Sequence, residues 1–355
     1  MRLLLASFLA VTFVACGDDE GGIQDAATDA EPDAPTDAGT DGPFVAPTML
    51  SETGLYSNIG TKTIAAGVVE FEPRWHLWSD AAVKRRWIYL PPGSKIDTTD
   101  MDYWSFPTGT KVWKEFSRGG ARIETRLLQK TGTADDVSSW FMVAFQWDAG
   151  ETDATAVPGG VVDDIGVNDI PDRAKCRQCH GPNRNKSIIL GLQALQMDYD
   201  APSNGLDLDR LVQDDWLTVE PTAPTNGTYF PFLAETGTPL ILPALGYMHS
   251  NCGGCHNPSS DVTMNTVPVQ FRLGTAANQR SSWAVTPTYM TAVNVTATLA
   301  PAGSHVVLGG NTAQSAVHNR MNIVGAVQMP PIAREQLDTA GLAAVDAWIN
   351  SLPPP

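Results

Sequence analysis

Two copies of one five-residue pattern carry the clearest chemistry in this chain. The pattern is Cys-x-x-Cys-His, and it stands in "RAKCRQCHGP" and again in "HSNCGGCHNP". It is the attachment signature of covalently bound c-type haem. Each cysteine adds across a haem vinyl group, and two cysteines three apart on the first turn of a helix reach both vinyls. The next residue directs its imidazole at the iron as proximal ligand. The predicted haem-binding residues are Cys176, Cys179, His180, Cys252, Cys255 and His256.

Zinc sites and disulfides are the other uses of paired cysteines. A zinc ribbon also needs two Cys-x-x-Cys pairs, but the interval from Cys179 to Cys252 is far longer than the usual knuckle spacing. Zinc also gives no reason for a histidine after each pair. A redox-active pair is typical of a βαβ setting, which this sequence lacks. The sequence therefore predicts two haem c groups, each with iron, as its cofactors.

The sixth iron ligand decides whether a haem exchanges electrons or binds a small molecule. In "VQMPPIAREQLDTAGLAAVDAWI", Met329 precedes two prolines and a predicted terminal helix. This stretch is similar to class I cytochrome c, where a methionine on a proline-stiffened loop meets the iron opposite the histidine. The resemblance implies that Met329 is the distal ligand of the second haem, which raises its potential relative to a His/His pair. A core methionine is the alternative, and Arg320 is either a partner of a haem propionate or a surface residue.

The distal ligand of the first haem is less well marked. Met197 lies in a predicted helix downstream of His180, as the class I order requires, and it is the predicted ligand. The alternatives are Met248, Met264, His249 and an open sixth position.

The first 43 residues read as export and tethering signals. "MRLLLASFLAVTFVAC" has one positive residue and an apolar run of signal-peptide length. Small residues before Cys16 resemble the lipobox of bacterial lipoproteins, so residues 1–16 are the predicted lipoprotein signal. The resemblance implies cleavage before Cys16 and lipid on Cys16. An ordinary secretory signal is the alternative. Residues 17–43 hold nine acidic residues and no basic or aromatic ones, and this composition predicts a disordered tether.

The rest of the chain divides into three regions that differ in residue pattern and motifs. In residues 44–167, short runs that alternate apolar and polar residues end in glycine or Pro-Gly, and seven of the ten tryptophans lie here. This predicts a β-rich domain, either a sandwich or a barrel. Its Glu115, Arg122, Glu124 and Arg126 are interpreted as a solvated charged face. Residues 168–236 form a first haem region, and residues 237–355 form a second, class I-like haem domain.

The predicted fold class is α+β and multidomain, with a β-rich domain followed by mainly helical haem domains. Short helices are expected in "IILGLQALQMDYD" and "LDLDRLVQDDWL". In the terminal helix, Asp338 is the predicted N-cap. One apolar stripe follows it, made of Leu342, Val345, Trp348, Ile349 and Leu352.

The chain after the tether resembles bacterial exported dihaem c-type cytochromes that carry an N-terminal β-rich region. The matching stretches are "LWSDAAVKRRWIYLPPGSKID", "WSFPTGTKVWKEFS", "IETRLL", "CRQCHG", "LGLQALQMD", "GYMHSNCGGCH" and "MPP". The resemblance implies haem binding and electron transfer. It departs at "RWHLWSDAA", where His76 and Ala81 replace the expected Pro and Gly.

These observations predict an exported dihaem lipoprotein that transfers single electrons. Its partners would be redox proteins, a periplasmic dehydrogenase or a terminal acceptor, and the membrane through its lipid. The net charge of −16 argues against nucleic acid as a partner. Its location would be the periplasmic side of the cell envelope. Gly17 follows Cys16, where an aspartate would indicate retention in the inner membrane, so the outer membrane is favoured. One alternative is a dihaem peroxidase-like reductase with an open first haem, in which His249 or Glu235 would act as acid and base. The other is a β domain that binds a ligand through exposed tryptophans and passes electrons out through the haems.

Overall fold

The computed structural model describes most of the chain beyond the predicted tether. The described residues are 44–162, 169–181, 186–202, 205–224, 227–232, 240–262, 267–299, 304–332 and 334–355. The predictions for the signal peptide, Cys16 and the acidic tether lie outside these residues, as do Met264 and Glu235. The fold is mixed α+β, with β structure in its N-terminal part and helices after it.

An open antiparallel sheet of six strands forms the β-rich part. Its strands follow one another in chain order as a meander, and a two-stranded hairpin precedes them. The hairpin is β1 (Tyr56–Asn58) and β2 (Thr63–Ile64), and the sheet is β3 (Val68–Glu70), β4 (Val83–Tyr89), β5 (Lys111–Arg118), β6 (Ala121–Lys130), β7 (Trp140–Trp147) and β8 (Ala154–Ala156). In the described residues β3 and β8 do not pair with each other. The expected barrel or sandwich is therefore replaced by an open meander.

The two faces of the sheet are covered by different parts of the chain. Side chains alternate between faces along each strand, and the register places Ile88, Val112, Leu128 and Met142 side by side on one of them. This helix-side face packs against buried residues that follow the first cysteine motif, among them Ile188, Leu192 and Met197. The opposite, hairpin-side face carries Trp87, Trp113, Leu127 and Val143 and is covered by Leu50, Leu55 and Tyr56.

The tryptophans of the sheet region belong to its core. Trp87, Trp104, Trp113, Trp140 and Trp147 are all buried, and Trp75 and Trp78 are half-buried. The structure thus gives no exposed tryptophan platform in residues 75–147, which was the feature that a ligand-binding β domain required.

The expected solvated charged face is wrong. Glu115 and Glu124 point to opposite faces of the sheet and are only 3% and 0% exposed. Arg122 Nε donates to Glu115 Oε2 at 2.8 Å, and Arg126 donates to both Glu124 oxygens at 2.9 and 2.5 Å. Charge-assisted bonds of this kind let a carboxylate be buried, because they replace its hydration.

The helices lie after the sheet in the chain. They include α1 (Arg173–His180), α2 (Ala194–Met197), α3 (Leu208–Gln213), α4 (Ile241–Asn251), α5 (Pro287–Ala292), α6 (Ala316–Met321) and α7 (Thr339–Ser351). The predicted cap of the terminal helix is confirmed, since Asp338 Oδ1 accepts the Gly341 N–H at 2.8 Å. Its apolar stripe is also confirmed, because Val345, Trp348 and Ile349 are buried.

Helices α4 and α7 pack against each other. Ala244 and Leu245 of α4 share one buried cluster with Val345 and Trp348 of α7. Gly341 permits the close approach, because a Cβ there would overlap the ring of Tyr247. The helix that leads into the second cysteine motif is therefore braced by the terminal helix.

A buried polar junction centred on His249 joins α4 to the region that follows the first motif. His249 is 4% exposed, its Nδ1 accepts the Leu273 N–H at 2.9 Å, and its Nε2 lies against the amide of Gln193. Arg272 donates to Gln193 Oε1 and to the carbonyl oxygen of Asp102. Burial, together with the Arg272 guanidinium, lowers the pKa of His249 well below its usual value.

This junction predicts an acid-dependent loss of stability that His249→Asn removes. An unfolded histidine binds a proton below about pH 6.5, whereas buried His249 does not, so stability falls as the pH drops below that value. Between pH 7 and pH 5 the unfolding free energy of the wild type should fall by about 2 kcal/mol more than that of the variant. Denaturant unfolding at both pH values measures this difference, and equal pH dependence in the two proteins would contradict it.

Candidate haem-attachment site

The second motif forms a tight turn that follows α4. The Cys252 N–H donates to Met248 O at 2.8 Å, and the His256 N–H donates to Cys252 O at 2.9 Å. Gly253 and Gly254 stand between the cysteines and favour the end of the helix. The motif therefore follows a helix, and the expectation that its cysteines occupy a first helical turn is wrong.

A largely apolar cavity opens beside this turn. Its empty space, counted out to its open mouth, is about 1240 Å³. Cys252, Cys255 and His256 line this space together with Met329. Its aliphatic and aromatic walls include Val267, Val269, Phe271, Leu299, Val306 and Val317. The structure therefore brings the predicted anchors, proximal ligand and distal ligand of the second haem to one cavity.

The loop that carries Met329 is held by a buried arginine. Arg334 is 6% exposed, and it donates to the carbonyl oxygens of Met321 at 2.7 Å and of Ile323. Gln328 Nε2 in turn donates to Arg334 O at 2.8 Å. These bonds fix the chain on both sides of Met329 without using its sulfur.

Arg320 lines the same cavity but is already engaged by backbone groups. Its Nη2 donates to Leu299 O at 2.6 Å and its Nη1 to Val327 O at 3.2 Å. It lines the cavity and is therefore not a plain surface residue. It ties two edges of the cavity together.

The first motif occupies the C-terminal end of α1. Asp172 begins this helix by accepting the Lys175 N–H at 2.7 Å, and Cys179 and His180 lie in its final turn. Cys176 packs against the buried cluster of the helix-side face. Because α1 is short, Cys176 completes its first turn, where its N–H donates to Asp172 O at 3.2 Å, while Cys179 lies in its last turn.

His180 has the hydrogen bond expected of a metal-binding imidazole. Its Nδ1 is 2.6 Å from the carbonyl oxygen of Ile188, to which it must donate. This fixes the tautomer and leaves the lone pair of Nε2 for a metal. Burial, together with the charges of Lys114 and Arg126, lowers the pKa of His180 to about 4, so the ring is neutral at pH 7.

The two motifs lie close enough to influence each other electrostatically. Burial raises the pKa of Cys179 to about 11, and the nearness of Cys255 contributes. Burial likewise raises the pKa of Cys252 to about 12, again with a contribution from Cys255. All four cysteines of the motifs are free thiols.

Residues 71–80, here called the linking segment, contact the surroundings of both motifs. The Trp75 N–H donates to Gln196 Oε1 at 2.9 Å, and the Trp78 N–H donates to Asn251 Oδ1 at 2.7 Å. Gln196 lies in α2, and Asn251 immediately precedes Cys252. No motif in the sequence pointed to this segment as a connector, although its two tryptophans mark it in the printed sequence.

The candidate distal ligands of the first haem have different surroundings. Met197 is fully buried in the cluster that contains Ile188 and packs against Cys176. Met248 is fully buried among residues of α4 and α7. Both ring nitrogens of His249 face protein groups, which leaves neither for an iron or for acid–base work. Met197 is thus the candidate that shares surroundings with the first motif.

The donor set and its surroundings fit two covalently held haems. Each motif supplies two thiols and one imidazole, one motif faces an apolar cavity, and the other has the oriented histidine. Within the described residues, no three His, Cys, Asp or Glu side chains converge as a metal-ion site requires.

Comparison with models of protein families, with curated proteins and with solved structures found no match to this chain. Of the helices in the described part of the chain, none has the length and apolar character needed to cross a membrane.

Replacing Arg334 should loosen the Met329 loop. Arg334→Met leaves buried carbonyl oxygens without their charged donor, and we expect a loss of about 2–3 kcal/mol in unfolding free energy. Hydrogen exchange should quicken in residues 321–332. Arg320→Met is the matched control, because its side chain is more exposed, and it should cost less than about 1 kcal/mol. Equal effects of the two substitutions would contradict the role assigned to Arg334.

Proposed function

We propose that this chain is an exported dihaem c-type cytochrome that transfers single electrons, with a lipid anchor at Cys16. One observation carries the proposal: Cys252, Cys255, His256 and Met329 line a single apolar cavity. The hydrogen bond of His180 to Ile188 gives independent support at the first motif. When bound, each haem supplies an iron that exchanges one electron between its ferric and ferrous states.

In this proposal the cysteines attach the haems covalently, and the histidines bind the irons. Cys176, Cys179, Cys252 and Cys255 form the thioethers. His180 and His256 would bind the irons, and Met329 and Met197 would supply the further sulfur ligands. Filled axial positions favour electron transfer over binding of peroxide or oxygen, because neither substrate finds an open iron. Of the two acid–base candidates of the peroxidase-like alternative, Glu235 lies outside the described residues and His249 is occupied on both sides.

The nearness of the two motifs supports electron passage within the chain. Cys255 contributes to the raised pKa of Cys179, which indicates that the two motifs lie near each other. Electrons could then enter at one haem and leave at the other. The partners that we propose are redox proteins of the cell envelope, with the membrane reached through lipid on Cys16.

Absorption spectra of the matured protein test the proposal directly. Spectra of the oxidised and dithionite-reduced protein, with a haem determination, should show two haems per chain. Neither reduced spectrum should change with CO, because both irons are six-coordinate. A protein without haem contradicts the proposal, and ready CO binding by one haem favours the peroxidase-like alternative.

Methionine substitutions should separate the two irons. Met329→Ala and Met197→Ala should each make one haem bind CO, because each removes a distal sulfur. Met290→Ala is the control, since Met290 is 66% exposed and lies in neither methionine environment, and its spectra should match the wild type. If Met197→Ala leaves the first haem closed to CO, the ligand is another residue, and Met248→Ala is the variant to examine next.

A further inference from the structure

A tight turn at the end of the linking segment has a left-handed backbone in two successive residues that are not glycine. The Ala82 N–H donates to Ser79 O at 2.9 Å, and Asp80 and Ala81 between them have φ angles of +46° and +58°. Positive φ at both central positions is the type I′ arrangement, in which Gly, Asn and Asp predominate. Asp80 suits its position, whereas Ala81 adopts it at a steric cost. We call residues 79–82 the Asp80 turn.

The Asp80 turn is held from two sides, as a strained turn must be in order to persist. Arg118, the last residue of β5, donates through Nη2 to Asp80 O. On the other side, Asp80 Oδ1 accepts the Glu335 N–H at 2.7 Å and the Gln336 N–H at 2.8 Å. Asp80 is 5% exposed, so these bonds lie inside the protein. The turn thus joins the end of a sheet strand to a distant part of the chain.

Asp80 binds the chain just beyond the loop that carries Met329. Glu335 directly follows Arg334, whose guanidinium holds this loop through two backbone carbonyl oxygens. Asp80 therefore fixes the backbone on one side of Arg334. Its carboxylate also acts on the guanidinium, since burial lowers the pKa of Arg334 while Tyr247 and Asp80 oppose that change.

The position of the Met329 sulfur depends on the backbone of its loop. A methionine side chain is flexible, so its thioether does not fix its own direction. The Met329 N–H donates to Arg320 O at 2.9 Å, and Arg334 constrains the chain beyond it. Asp80 adds the contact that connects this loop to the sheet.

Resting on the proposed function, we propose that Asp80 is a positioning residue for Met329. By holding residues 335 and 336, it keeps the loop where the Met329 sulfur can bind the second iron. Among the described residues Asp80 is not part of the cavity wall, so it acts through the backbone and Arg334. The strained turn would then be the means by which the sheet controls the second haem.

A ligand that competes with Met329 measures this role. Imidazole binds the ferric iron only when the sulfur has left, so its apparent dissociation constant is the intrinsic constant divided by the fraction of open iron. In the full matured protein, Asp80→Ala should strengthen imidazole binding at the second haem by about tenfold or more, because it removes the acceptor of two backbone N–H groups. The sulfur-to-iron charge-transfer absorption should weaken in the same variant, while the first haem keeps its wild-type affinity. Met329→Ala identifies the second haem, since its iron should bind imidazole without competition.

Two further variants separate positioning from general destabilisation. Asp80→Asn should restore the wild-type affinity, because the asparagine oxygen can accept the same two N–H groups and asparagine tolerates a positive φ. Asp198→Ala is the matched control. Asp198 is 2% exposed and likewise accepts two backbone N–H groups, from Tyr229 and Phe230 at 2.9 Å each, but these lie outside the Met329 loop. Its loss should leave the imidazole affinity of the second haem unchanged.

The outcomes distinguish this inference from the proposed function. If Asp80→Ala carries both haems and binds imidazole at the second haem no more tightly than Asp198→Ala does, the inference is wrong and the proposed function stands. Arg118→Met, which cuts the bond to the Asp80 carbonyl oxygen, carries the same expectation if Asp80→Ala fails to mature. If Met329→Ala changes imidazole binding at neither haem, Met329 is not a ligand, and the inference falls with that assignment. Absence of haem from the wild type overturns the proposed function as well.

Discussion

The hydrogen bond from His180 to the carbonyl oxygen of Ile188 ties the first motif to the rest of the protein. A histidine binds a metal better when its other nitrogen is held, because the hydrogen bond fixes the tautomer and the orientation of the ring. Ile188 is buried in the cluster that covers the helix-side face, with Leu128 and Met142 beneath it. The position of the imidazole is thus set by a sheet whose strands begin about a hundred residues earlier in the chain. The sheet is in this sense part of the site.

The linking segment extends this dependence to the second motif. Its backbone binds Gln196 on one side and Asn251 on the other, and Asp80 at its end accepts N–H donors from Glu335 and Gln336. Those two residues lead into α7, which packs against α4. One ten-residue stretch therefore contacts the surroundings of both motifs and the start of the terminal helix. Fixed spacing between two redox groups is what electron passage between them needs.

The features that the sequence predicted correctly are those that depend on residues close together in the chain. The cap at Asp338, the stripe of α7 and the short helices near Met197 and Leu208 follow from local patterns, and the structure has them. The convergence of His256 with Met329 was predicted from a resemblance, and the cavity agrees with it. These features depend on residues a few positions apart or on a specific motif.

What sequence reasoning missed depends on pairing across the fold. Arg86, Lys114 and Arg126 are far apart in the sequence and become neighbours only through the register of three strands. In the sequence, Glu115 and Glu124 occupy positions that solvent-exposed charges also occupy in strands. Their burial depends on their hydrogen bonds with Arg122 and Arg126. Strand position alone does not reveal which face is covered. Whether the sheet is open or closed likewise depends on whether its edge strands β3 and β8 pair, which local patterns do not reveal.

The two proposed haems would owe their potentials to different physical causes. At the second haem, the apolar cavity would favour the ferrous iron, because a low-dielectric site disfavours the extra charge of the ferric state. The methionine sulfur would favour it as well, as an iron ligand. At the first haem, the charges of Lys114 and Arg126, which act on His180, would favour the ferrous iron. Buried charge and ligand identity are both little affected by salt, whereas surface charge is screened. A chain arranged in this way would keep the order of its two potentials while its acidic surface meets partners at different ionic strengths.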